Sequence, residues 1–77
     1  MPLYMDVHDR FEGAANAADR ETEKKFGVRG LRRWSDGRTG RTFFLIEAPN
    51  RDAAMRLHRE VHHSDLDTLV EVREDAW

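Results

Sequence analysis

Seventy-seven residues leave room for one domain with a thin core, and the 36% of charged residues leave enough apolar sequence, 39%, only for amphipathic segments. Thirteen basic against fifteen acidic residues give a formal charge of −2, which excludes a global field pulling the chain toward nucleic acid or membrane. No cysteine is present, so a disulfide staple is excluded, and a core this small then calls for a partner chain or a metal.

Met1 to Asp9 carries aspartates where a secretory signal needs an unbroken apolar run, and no later stretch is long enough to span a bilayer. A cytoplasmic protein is the expectation. The first strand is predicted from Leu3 to His8, where the residues alternate. Leu3, Met5 and Val7 are expected on the helix-covered core side. Tyr4, Asp6 and His8 are expected on the other side, lining a cleft or meeting another subunit. From Phe11 to Phe26 the spacing turns helical, with Phe11, Ala15, Ala18, Thr22 and Phe26 near one thin stripe. Lys24 and Lys25 suit the helix C-terminus, and Gly27 can take the left-handed position that ends it.

Val28 to Trp34 reads as a basic edge strand, and Ser35 to Gly40 has the residues of a hairpin turn. The third strand, Arg41 to Ala48, is apolar on both faces, Phe43 and Leu45 against Phe44 and Ile46, and is therefore expected at the centre of a sheet. Asn50 is a suitable N-cap for a second helix whose buried stripe is Ala53, Ala54, Leu57 and Val61. His58 lies beside that stripe, at the border of core and solvent, one turn before His62. Ser64 to Thr68 breaks the pattern, Leu69 to Arg73 forms a last strand, and residues 74–77 are a tail.

The order β-α-β-β-α-β resolves into an α+β, ferredoxin-like two-layer sandwich spanning residues 1–77, an antiparallel sheet with both helices on one face and the first and third strands innermost. The bare face, with Tyr4, Phe44 or its alternate neighbours, and Trp34, is expected to be closed by homodimerisation through the sheet.

The sharpest chemistry is the pair His58 and His62. A helix sets i and i+4 side chains on one face, so two imidazoles there can grip one metal ion. With no thiolate available, the other ligands must be histidine, carboxylate or water, and His8 and Asp6 are candidates. Arg29, Arg32, Arg33, Arg38 and Arg41, with Trp34 and Phe43, could form an RNA-binding surface, but such a run more often guards an edge strand against aggregation. No nucleophile and base fall into a known arrangement. A dimeric barrel-type enzyme or small-molecule binder using Tyr4, Asp6, His8, Trp34 and Glu47 is the alternative reading.

Four segments carry a resemblance to a family. Met5-Asp6-Val7-His8 resembles an opening MDxH, Lys25-Phe26-Gly27-Val28 an aromatic-Gly-Val helix end, Phe43 to Pro49 (FFLIEAP) an FCLxEAP strand, and His58 to His62 (HREVH) an HREAH helix end. Together they resemble a family of small bacterial ferredoxin-like proteins that bind or respond to nickel. The resemblance implies nickel or another divalent transition metal, for sequestration or response, held by His8, His58 and His62; Asp6 and His63 are additional candidate donors by their own chemistry and not by the resemblance. The family pattern has cysteine where Phe44 stands, histidine where Asn16 stands and glycine where His63 stands.

Overall fold

The computed structural model describes residues 1–8, 20–62 and 68–76, His62 through its backbone alone. Strands β1 (Leu3–His8), β2 (Arg29–Ser35), β3 (Thr42–Glu47) and β4 (Thr68–Val72) form one antiparallel sheet in the order β2-β3-β1-β4. Helix α1 (Arg20–Phe26) precedes β2, and helix α2 (Arg51–His62) joins β3 to β4. This is the expected ferredoxin-like α+β arrangement, with β1 and β3 innermost. The earlier part of the predicted first helix, including Phe11 and Asn16, lies outside the described residues, as do His63 and Ser64.

Local chemistry accounts for the element ends. Gly27 adopts a φ of 70°, which costs glycine little, and closes α1: its N–H donates to Lys24 O (3.1 Å) while Val28 N–H donates to Glu23 O (2.9 Å). In the hairpin between β2 and β3, Asp36 accepts from Arg38 N–H (2.9 Å) and the Thr39 hydroxyl (2.7 Å), and Gly40 takes the left-handed conformation. These contacts hold the exposed Asp36 carboxyl below its ordinary range, the Thr39 hydroxyl bond being the largest cause. Asn50 caps α2 by accepting from Ala53 N–H at 2.8 Å. Arg51 then donates to Leu69 O at 2.8 Å, tying the start of α2 to β4.

The core lies between the sheet and the helices. Tyr4, Ile46 and Leu69 from the sheet pack with Ala54 and Leu57 of α2, with Val28 and Ala48 from the strand ends, and with Phe26 of α1 alongside. Glu23 is buried in α1 as well. It accepts from Gly30 N–H and from Arg20 Nη1 (3.1 Å), pinning the helix to β2 where the β2–β3 register slips between Gly30 and Arg32. A Cβ on Gly30 would meet Glu23 Oε1 at 3.0 Å, so the close approach uses the missing side chain.

The two sheet faces are the reverse of the sequence expectation. Tyr4 is 3% and Asp6 8% exposed, and both point to the helix-covered side; Leu3, Met5 and Val7 face away from the helices and are only half-buried. Directly opposed residues of an antiparallel pair share a face, so Tyr4 and Asp6 carry Ile46 and Phe44 with them, and Met5 and Val7 carry Leu45 and Phe43. The bare face is therefore not the one with Tyr4 and Phe44. The physical reason is that a strand's alternation defines two faces without saying which is in, and a third strand apolar on both sides accepts either choice. A buried partner for Asp6 decides it, and that partner comes from α2.

Candidate metal centre

The partner is His58. Its position in the α2 sequence puts it one residue after Leu57 and four after Ala54, on the helix side that meets the sheet. It is 4% exposed, well inside the core and not at the solvent border that the sequence suggested. From β1, Asp6 and His8 project toward the same layer, two residues apart on one strand face.

Asp6 Oδ2 sits between the two imidazoles. His8 Nε2 is 3.2 Å away and His58 Nδ1 3.3 Å away. A carboxylate only accepts, so each of these nitrogens carries the proton it donates. The rings lie nearly parallel, 23° apart with centroids 4.9 Å from one another, and His8 meets the Phe44 ring edge to face at 5.4 Å. Phe44 thus walls the site where the resembling family has its cysteine. Burial pushes the Asp6 carboxyl up, but the hydrogen bonds from His58 and His8 and their charges outweigh it, leaving the acid below its ordinary value of 3.8. The second oxygen, Oδ1, is buried with no hydrogen-bond partner among the described residues.

One donor atom each from Asp6, His8 and His58 lie within 4.8 Å of one another, and this is the one Asp/Glu/His/Cys trio so placed among the described residues. Ligands at about 2.0–2.2 Å from a shared ion stand about 3–3.5 Å apart, so modest ring rotation would bring the three onto one centre. An O,N,N donor set suits nickel, zinc or copper rather than calcium or magnesium. The buried, unsatisfied Oδ1 fits such an ion, because it is an acceptor held ready with nothing to accept.

Two of the three histidines named from sequence, His8 and His58, come together here, and Asp6 stands at their centre rather than at the margin. His62 is the final residue of α2, one turn beyond His58, and its side chain lies outside the described part, as does all of His63. The residues of the alternative small-molecule pocket do not line one cavity. Tyr4, Asp6 and His8 face the helices, whereas Trp34 and Glu47 share the bare face through the pairs Trp34–Phe43 and Leu3–Glu47. A cleft of about 270 Å³ opens elsewhere, among Arg20, Glu23, Leu31, Arg33 and Phe44. Glu23 is the buried acid that sequence reasoning missed; its nearest signal is Gly30, a glycine inside a strand.

Fold and site together describe a ferredoxin-like domain with a buried carboxylate and imidazole, Asp6 and His58, and a half-buried second imidazole, His8, between sheet and helix. Among solved structures, the chain is similar to SCO4226 from Streptomyces coelicolor A3(2), a crystal structure, at 26% identity and a TM-score of 0.73, over 96% of this chain and 99% of that one. No family model and no curated protein matches the chain. No helix among the described residues is long and apolar enough to cross a membrane.

Proposed function

We propose that this protein binds a divalent transition metal ion through Asp6, His8 and His58, for sequestration or response. The observation that carries the reading is the convergence of three donor atoms of the right chemistry within 4.8 Å, all from one chain. Nickel is the first candidate, on the strength of the sequence resemblance to small nickel-binding ferredoxin-like proteins. His62, one turn along α2, is the candidate fourth donor. Metal and proton compete for imidazole nitrogen, so binding is expected to weaken as the solution is acidified below about pH 6.

Equilibrium dialysis of tag-free protein against nickel chloride tests this. One ion per chain is expected at neutral pH, and the His8→Ala, His58→Ala double variant should lose at least tenfold in affinity, on the order of what ligand loss costs. Unchanged binding in that variant excludes the site, and a His62→Ala variant alone separates a three-residue site from a four-residue one. Zinc and copper in parallel cells rank the metals. The protein belongs in the cytoplasm on this reading.

A further inference from the structure

We infer that the Thr42 hydroxyl holds a small exogenous ligand, water or a monoanion, on the ion bound by Asp6, His8 and His58, so that the centre keeps one coordination position open to exchange. This rests on the metal reading proposed above and adds a residue to it. Thr42 opens β3 and is 1% exposed, and its Oγ1 is buried with no hydrogen-bond partner among the described residues. Such a hydroxyl has lost its water and gained nothing in return, whereas valine would fill the same shape without that loss. A polar atom kept under those terms calls for a use.

The strand register places it beside the centre. His8 and Thr42 oppose each other directly across β1 and β3, and such residues share a face with their Cβ atoms about 4.5–5.5 Å apart. Thr42 therefore stands on the helix-covered face next to His8, with Asp6 on the same face two residues back along β1. Two buried, unpartnered oxygens thus fall in one neighbourhood, Asp6 Oδ1 and Thr42 Oγ1. An ion accounts for the first, which only accepts. It does not account for the second, because a neutral hydroxyl is a weak ligand for a transition metal beside imidazole and carboxylate. A hydroxyl both donates and accepts, so it suits what the ion itself carries: it donates to an anion or accepts from water.

The donor count agrees. Closed structural sites supply four protein donors, while a site with three leaves the remaining position to water or another small ligand. With His62 as a fourth donor, tetragonal nickel or copper still has axial positions to fill. Solvent reaches the rim of the centre, since the side chains of Asp6 and His8 are each 12% exposed against 3% for His58. The depth of Thr42 limits the ligand to a few atoms.

Cobalt(II), whose absorption spectrum reports its coordination, and azide as the small anion test the inference on the full, tag-free chain. Azide should change the spectrum of the cobalt-loaded wild type. Thr42→Val should weaken azide about tenfold, the scale of one hydrogen bond to a charged partner, while cobalt affinity stays within about threefold. Thr42→Ser, which keeps the hydroxyl, should restore azide binding. Without metal, Thr42→Val should unfold at the same or a higher urea concentration, because the hydroxyl has no partner to lose. Equal azide affinity in wild type and Thr42→Val overturns the inference and leaves the metal reading standing, as does a cobalt spectrum indifferent to azide. A metal-free Thr42→Val that unfolds at clearly lower urea also overturns it, since the hydroxyl is then structural. Wild type that binds no cobalt removes the metal reading and the inference together.

Discussion

The two faces of the sheet invert the usual arrangement. The helix-covered side holds a carboxylate and two imidazoles beside its apolar core, while the bare side is aliphatic and aromatic through its middle, with Arg29, Arg32, Glu47 and Thr68 toward its margins. In a simple two-layer domain the polar residues would face water and the apolar ones the helices. A buried polar cluster is costly unless its members are paired; Asp6 Oδ2 supplies a partner to each histidine, while Asp6 Oδ1 is left without one among the described residues. A protein tolerates an apolar bare face when another surface covers it. The difference teaches that the inward choice is made by what α2 brings down to the sheet, not by the hydrophobicity of β1 itself.

The largest test of that inversion compares neighbours on β1. Tyr4→Ala removes a large buried ring and should cost about 3–5 kcal/mol in urea unfolding. Met5→Ala, measured in dilute protein where association is absent, should cost far less, about 1 kcal/mol, because its side chain is only half-buried. Equal costs, or the reverse order, would restore the sequence expectation and remove the basis of the site.

Much of the fold was legible because it is written in local chemistry. Gly27, the Asp36-to-Gly40 turn and the Asn50 cap each mark an element end by a mechanism that works on a few residues at a time. The central place of β3 follows from its two apolar faces in the same way. Which face of β1 turns inward was not legible, because Leu3, Met5 and Val7 satisfy the hydrophobic rule and only a contact between residues 6 and 58 breaks it. The metal donors were half visible. His8 and His58 came from motif and spacing, yet the carboxylate that unites them was a secondary candidate donor on a strand face expected to turn away from α2. Glu23 was invisible for the same reason: a charged residue in a helix reads as exposed until its partners, Arg20 and the Gly30 amide, are known.

A second test works on the covered side through pH. The Asp6 carboxyl has a folded value below its ordinary 3.8, held down by the imidazole donors against the opposing effect of burial. A lowered acid contributes stability that is fully present above the unfolded value and is lost as pH falls through the folded one. Metal-free wild type should therefore lose stability below about pH 4, while Asp6→Asn loses about 2 kcal/mol at neutral pH and has a flatter acid limb. Chemical denaturation across that range reads both; parallel acid limbs would mean that the carboxylate is not held by the histidines.

Smaller again is the effect at the pin between α1 and β2. Gly30→Ala places a methyl group 3.0 Å from Glu23 Oε1, an atom held by two donors and unable to retreat freely. Overpacking of this kind costs about 1–2 kcal/mol. The double variant with Glu23→Ala should cost less than the sum of the two single changes, since the clash disappears with the carboxylate. Strict additivity would place the strain elsewhere.

The least effect is expected on the bare face, from Val70→Thr. The two side chains are nearly the same size, Val70 is 46% exposed, and an exposed hydroxyl is satisfied by water, so unfolding of the single chain should change by less than about 0.5 kcal/mol. Its neighbour Leu69 is 6% exposed on the covered face, and a hydroxyl in that layer would have to find a partner among core side chains. If a second copy lies on Val70, the same substitution that leaves the monomer alone buries a hydroxyl at the interface and weakens association by several-fold. A variant silent in both unfolding and sedimentation would put Val70 in solvent in both states, and the bare face would then have to be explained without a partner.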